Sequence, residues 1–275
     1  MIIHNNNLIF IPENVNSKAL IKEFIVLKGQ EFLTNKEGHI VFLNEDDIKW
    51  SGMESDQHHF LGYLNDKSLF IVELKDESML MEDTILSSLR VLLGAIPDNL
   101  FSICSRSLQI VEWFNSHRYC GRCGSKMNSH AQERGMQCEC TKILTYPRIS
   151  PCVIVLVTNG DYLLLAHNKN FPGSFYSTLA GFIEAGENAE DAIHREILEE
   201  VSIEVKNITY FGTQSWPFPS QLMIGYHAEF LKGDIRPDGI EIDEAKWFHK
   251  DEMPSVPSGK ISISGKLIED YLGRI

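Results

Sequence analysis

Between Gly181 and Ile203 the chain concentrates carboxylates on one face of a helix. Asn188 is a good N-cap, with Asp191 at the third helical position and acidic residues in the favoured first turn. Ala189, Ile193 and Ile197 recur at four-residue spacing and form an inward stripe. Glu196 and Glu200 are also four apart, so both carboxylates project from one face, with Glu199 beside them. Three such groups repel one another unless something neutralises them. A hard divalent cation does so, because Mg²⁺ or Mn²⁺ takes carboxylate oxygens and bridges to phosphate. Arg195 is placed to reach Asp191 or Glu199 along the helix. Without the cation, the same string is a solvated acidic face with an ordinary ion pair.

The charge balance narrows the partners. With 25 basic against 38 acidic side chains, the net charge of −13 repels polyanions, which argues against DNA and against anionic membrane surfaces. The first ten residues, MIIHNNNLIF, lack a basic stretch followed by an apolar one. No apolar run approaches the roughly 20 residues that span a bilayer. A soluble cytoplasmic protein is expected. A chain of 275 residues, 43% hydrophobic and 23% charged, is long enough for two globular domains.

Three regions differ in character. Residues 1–115 carry alternating stretches at His39–Leu43 and Ser68–Leu74 that read as strands. Helical spacing marks 82–93, where Ile85, Leu89 and Leu92 share a face, and a second helix is expected near 107–114. This is a small α+β domain, read as a scaffold or dimerisation domain. Residues 116–147 are polar and Cys-rich, as in a small metal-stapled module. From 148 to 275 the pattern is mixed. Pro151–Val157 is an apolar strand, and Asn159-Gly160 supplies a hairpin turn into Tyr162–Ala166. A loop rich in Asn, Pro and Gly follows, then strands near 208–211 and 222–230 and a closing helix near 266–271. No regular βαβ repeat appears, so the fold class is an α+β sandwich.

Of six cysteines, Cys104 and Cys152 sit in apolar settings and read as buried thiols. Cys120, Cys123, Cys138 and Cys140 cluster within 21 positions, which favours structural Zn²⁺ over disulfides. The first pair is a CxxC and the second a CxC. His117 and His130 are spare candidates, each with a solvent-facing role as the simpler reading.

The 181–203 string resembles the signature of the Nudix hydrolases: Gly181, Glu187, Arg195, Glu196, Ile197, Glu199, Glu200 and Ile203 all fall where that pattern places them. Ser202 alone departs, standing where the pattern has a helix-ending glycine; a left-handed residue there costs Ser more than Gly. The resemblance implies an α/β/α sandwich at the C-terminus and metal-dependent attack of water on a nucleoside diphosphate linkage. By position, Glu196 and Glu200 are the main Mg²⁺ or Mn²⁺ ligands, Glu199 a ligand or the base, and Glu241 a further ligand.

Downstream, Gln214-Ser-Trp216-Pro-Phe218-Pro219 is a stiff aromatic segment suited to stacking on flat rings, or equally a buried hydrophobic loop. It resembles an array that follows the signature in the NADH pyrophosphatases, with Gln214, Trp216, Pro217, Phe218 and Pro219 matching and Thr213, Ser215 and Gln221 departing. Those enzymes share the layout of N-terminal domain, zinc ribbon and Nudix domain. The resemblance implies a homodimer that cleaves NAD(H) into NMN(H) and AMP, and NAD-capped RNA as a further substrate. It implies substrate contacts from Glu133, Tyr146, Ala180, Phe182 and Ser264. It implies them also from Gln214, Ser215, Trp216, Pro217, Phe218, Pro219, Ser220 and Gln221. In the ribbon it places the fourth ligand at Thr141. Either the loop absorbs a one-residue shift to Cys140, or the site has three cysteines. Within the same fold, ADP-ribose, an ADP-sugar or a dinucleoside polyphosphate is the alternative substrate. A non-catalytic ligand sensor is the alternative of another class, against which three intact glutamates argue.

Overall fold

The computed structural model describes residues 3–5, 8–18, 20–53, 57–75, 81–169, 173 and 175–274. The chain divides into two compact units, Met1–Arg148 and Ile149–Ile275. No helix among the described residues is long and apolar enough to cross a membrane.

The first unit is built on strands β1 (Ile3–Asn5), β2 (Leu8–Pro12), β3 (Lys22–Lys28) and β4 (Glu31–Asn35). These are followed by helix α1 (Glu45–Trp50), β5 (Gln57–Leu64), β6 (Lys67–Glu73), β7 (Thr84–Ser88), α2 (Leu89–Leu92) and α3 (Asp98–Ser116). The strands form one seven-stranded sheet in the order β1-β2-β5-β6-β3-β4-β7. Phe24, Val26, Leu33 and Val72 pack beneath Ile48 of α1. Three two-residue strands, β8 (Asn128–Ser129), β9 (Met136–Gln137) and β10 (Leu144–Thr145), form a separate small sheet in the order β10-β9-β8. Its core is Cys120, Met127, Met136 and Cys138 against Trp113 of α3.

The second unit holds β11 (Ser150–Asn159), β12 (Tyr162–Asn168), β13 (Leu179–Phe182), α4 (Ala189–Val201), β14 (Ile203–Trp216), β15 (Gln221–Gly233), β16 (Ile242–His249) and α5 (Ile263–Arg274). The sheet runs β14-β15-β11-β12-β16, with β13 paired on β11. β11 lies parallel to β15, from Ser150 opposite Gln221 to Thr158 opposite Glu229. The continuous apolar run of β11 has a simple cause, since both of its faces are covered. Val153, Val155 and Val157 turn to the α4 side, where Ala192, Ile193, Ile197 and Val201 pack. Cys152, Ile154 and Leu156 turn to the α5 side, against Ile263, Leu267 and Ile268. The result is the expected α/β/α sandwich.

Local expectations diverge at three places. Residues 39–43 make no strand; only isolated bridges form, Ile40 to Thr34 and Leu43 to Phe24. The side chain of Asn35 accepts from the amides of Glu37 and His39 and turns the chain at the end of β4. Residues 82–93 are not one helix. Thr84–Ser88 completes a ladder along the open edge of β4, and Ser88 then caps a single turn at Leu89–Leu92. A free ladder edge outweighs the helical spacing of Ile85, Leu89 and Leu92, because β-branched residues such as Thr84 and Ile85 fit a pleated edge. The hairpin from 203 to 233 is longer than the two short strands anticipated, with three register shifts along it. The Asn159-Gly160 turn forms as read, with Gly160 at φ 57°. In the loop after β12, residues 170–172 and 174 lie outside the described residues.

Candidate active site

Helix α4 begins where Asn188 caps it, accepting from the amide of Asp191 at 2.8 Å. Asp191 is engaged there by the Asn188 side-chain amide at 2.6 Å. It is therefore no partner of Arg195, as the helix spacing had allowed. Arg195 instead gathers the loop, the strand and the helix. Its Nε and Nη2 donate to the two oxygens of Glu187, each at 2.8 Å. Nη2 also donates to the carbonyl of Phe182 at the end of β13 (2.9 Å), and Nη1 donates to Glu196 (2.9 Å) and Glu199 (3.1 Å). The forked guanidinium suits this bidentate role. The Arg195 pair, together with the amide of Glu184, holds the Glu187 carboxyl down at about 2.

The glycine that opens the segment has a steric reason. A Cβ on Gly181 would occupy the space of the Glu196 carboxyl group. Glu196 therefore lies against the backbone of β13, and burial raises its pKa in spite of Arg195. At the other end, Ser202 closes α4 in the left-handed conformation, at φ 59° and ψ 30°, and its amide donates to the carbonyl of Leu198.

Glu200 is the electrostatic centre of the site. It is 7% exposed, and its Oε2 is buried without a hydrogen-bond partner. Burial first, and then the charges of Glu196, Glu241, Asp238 and Glu199, push its pKa up to about 8. A carboxylate that is buried, orphaned and surrounded by like charge is the donor set a hard divalent cation requires. Glu241 and Glu199 also raise the pKa of Glu196 through their charges, and Glu199, with a side chain 60% exposed, stands at the rim.

Asp238 was not picked out from the sequence. Its Oδ1 accepts from the amides of Ile240, Glu241 and Ile242, which folds the turn that carries Glu241. The Asp238-Gly239 dipeptide, a turn former through its own side chain, was the available signal.

Glu200 also lines a cavity of about 340 Å³ with Ala180, Gln214, Trp216, Met223 and Ser264. Trp216 ends β14 and meets Phe218 edge to face at 5.3 Å. The segment from Pro217 to Ser220 is the tip of the β14–β15 hairpin, with Pro217 buried and Ser215 and Pro219 exposed. Gln221 pairs with Trp216 across the hairpin, and the carbonyl of Ser220 accepts from the amide of Ser150. Gln214 uses both ends of its side chain on the protein, donating to the carbonyl of Ile261 and accepting from the amide of Ile263. Ser264 is likewise engaged, by Ser177 and Thr178. Phe182 is 47% exposed and does not line this cavity. Tyr146 and Glu133 belong to the first unit, where the Tyr146 hydroxyl donates to Glu133.

In the small Cys-rich sheet, the sulfurs of Cys120, Cys123 and Cys138 lie within 4.8 Å of one another, while Cys140 is exposed and outside the group. His117 bonds Ser116 and the carbonyl of Trp113, and His130 accepts from the amide of Gln132. Three thiols at that spacing suit zinc. Cys104 and Cys152 are buried, as expected.

Comparison with known proteins agrees with this arrangement. Residues 148–271 match the NUDIX domain, residues 115–146 the NADH pyrophosphatase zinc ribbon domain, and residues 22–113 the NADH pyrophosphatase-like rudimentary NUDIX domain. The NAD-capped RNA hydrolase NudC of Pseudomonas syringae pv. tomato is 42% identical over 214 residues, covering 78% of this chain and 76% of its own length. The protein of that name from Pseudomonas syringae pv. syringae is 39% identical over 248 residues, covering 90% and 88%. That from Stutzerimonas stutzeri is 40% identical over 245 residues, covering 89% and 87%.

Proposed function

The chain belongs to the Nudix hydrolases, in the branch of the NADH pyrophosphatases, and from that premise we propose that it hydrolyses the pyrophosphate of NAD(H) to NMN(H) and AMP and removes NAD caps from RNA. The observation that carries the reading is the position of Glu200, whose buried, unsatisfied carboxyl forms one wall of a largely apolar cavity that Trp216 also lines. A flat apolar surface beside a charge centre suits a base tethered to a diphosphate.

The residues divide the work. Glu196, Glu200 and Glu241 would hold a divalent cation, Mg²⁺ or Mn²⁺. When bound, the ion neutralises the pyrophosphate oxygens and lowers the pKa of the attacking water. Arg195 fixes the carboxylates by spanning Phe182, Glu187, Glu196 and Glu199. Glu199, the most exposed of Glu196, Glu199 and Glu200, is a further ligand or accepts the proton of the water. Water adds to one phosphorus, the bridging oxygen leaves with the other half, and one water is consumed per bond cut. Trp216 and Phe218 stack on a ring of the dinucleotide, with Pro217, Pro219 and Ser220 shaping the tip. Ala180, Phe182, Gln214, Ser215, Gln221 and Ser264 complete the contacts.

With a net charge of −13 the protein offers the body of an RNA no general attraction. Recognition of a capped RNA then rests on the cap, and cleavage falls only weakly with salt. Residues 148–275 carry the chemistry, residues 116–147 the zinc module, and residues 1–115 support a homodimer acting in the cytoplasm, which light scattering of the purified protein tests.

The function is tested by supplying Mn²⁺ or Mg²⁺ with NADH, NAD⁺, ADP-ribose or a dinucleoside polyphosphate and identifying the products. AMP with NMNH is expected from NADH. Rapid cleavage of ADP-ribose with NADH left intact would replace the substrate while keeping the chemistry.

A further inference from the structure

The two cysteine turns of the zinc module are built on the same backbone pattern. In the first, the amide of Cys120 donates to the carbonyl of Ser125 and the amide of Gly124 donates to the carbonyl of Cys120, both at 2.8 Å. In the second, Cys138 donates to Ile143 and Lys142 donates to Cys138, both at 2.9 Å. The fifth residue of each turn is left-handed, Gly124 at φ 72° and Lys142 at φ 59°. Matching turn to turn pairs Cys120 with Cys138, Cys123 with Thr141, and Arg122 with Cys140. The CxC of the sequence is therefore a CxxT turn, and Cys140 takes the outward position that Arg122 takes in the first.

Atomic distances agree with the backbone. Cys123 Sγ lies 3.5 Å from Cys138 Sγ, and Thr141 Oγ1 lies 3.5 Å from Cys120 Sγ. Ligands at about 2.3 Å for sulfur and about 2.1 Å for oxygen, on a tetrahedral zinc, are separated by about 3.8 Å (S···S) and about 3.6 Å (S···O). The Thr141 hydroxyl also accepts from the amide of Ile143 at 3.4 Å, which holds it in place.

We propose that zinc is held here by the sulfurs of Cys120, Cys123 and Cys138, that the Thr141 hydroxyl stands at the fourth corner, and that Cys140 is not a ligand. This rests on the zinc reading of the module. Three thiolates leave the complex one negative charge short of a four-thiolate site. A neutral hydroxyl is a poor closing ligand, so the fourth position exchanges with an outside donor such as water or a small thiol. Structural sites are closed and reactive ones keep one position open; this site has the composition of the second kind.

The test uses the full chain purified without chelator. Zinc per chain is measured by elemental analysis, release to a chromophoric chelator gives affinity, and the Co²⁺-substituted protein gives the sulfur-to-metal charge-transfer band. About one zinc per chain is expected, with Cys140→Ser within about twofold of the parent in affinity and Thr141→Cys tighter by at least about tenfold. The cobalt band of Thr141→Cys should exceed that of the parent by about four to three, one added thiolate on three. If Cys140→Ser lowers zinc affinity as Cys138→Ser does, or if the parent band already equals that of Thr141→Cys, the ligand assignment is overturned. A parent chain free of zinc overturns the zinc reading itself. Should Thr141→Cys not fold, Cys140→Ser against Cys138→Ser decides alone.

Discussion

Replacing Glu200 by Gln should strengthen the fold while ending the reaction. In the folded chain without divalent cation the Glu200 carboxyl titrates at about 8, against 4.5 for an ordinary glutamate. Between these values the folded state keeps a proton that the unfolded chain has released. Folding stability is therefore full below pH 4.5 and falls as pH rises towards 8. At pH 7.5 the gap from 4.5 is three units, which at about 1.4 kcal/mol each sets a ceiling of about 4 kcal/mol. Relaxation and water entry reduce this, and about 2 kcal/mol is expected in practice. Gln has the same shape and no charge, so Glu200→Gln should be more stable than the parent by about 2 kcal/mol at pH 7.5, and equal to it below pH 4.5. Mn²⁺ should stabilise the parent and leave the variant nearly unmoved. Hydrogen exchange in peptides covering Ala189–Val201, at several pH values with and without Mn²⁺, reads the difference within that helix. A variant less stable than the parent at pH 7.5 without divalent cation, or a difference that does not change with pH, would refute the reasoning.

Three further outcomes follow from the geometry. Ser202→Gly removes a left-handed penalty of about 1–2 kcal/mol for a residue with a Cβ, set against about 0.5–1 kcal/mol of added chain entropy; thermal unfolding should show a net gain of about 0.5–1 kcal/mol. Gly181→Ala displaces the Glu196 carboxyl and should lower kcat by about a hundredfold while circular dichroism stays unchanged. Gln214→Leu severs the bonds to Ile261 and Ile263 and should cost about 1–3 kcal/mol in urea unfolding; unchanged stability would show that those two bonds carry little of the fold.

What could be read from the sequence follows the range of the interactions. The capping by Asn188, the inward face of Ile193 and Ile197, and the left-handed closure at Ser202 are local and were legible. So was the double burial of β11, because both faces write their demand into one apolar run. Arg195 was half legible. Its reach to Glu199 is set by helix spacing, but its fork on Glu187 depends on how the loop from 183 to 188 returns, which no periodicity encodes. Glu241 came from resemblance, whereas its charge on Glu200 comes from the turn at Asp238, a contact between segments some forty positions apart. In the first unit the helical spacing of 82–93 misled because the edge of β4 is distant in sequence and invisible to any window.

The most direct measurement is the product spectrum of NADH incubated with the purified protein and Mn²⁺, parent beside Glu200→Gln. The account predicts AMP and NMNH in equal amounts from the parent, and at least a hundredfold less of both, on the order expected when a metal ligand is lost, from a variant that remains folded. Equal turnover by the two proteins, or NADH left whole by the parent, would contradict it.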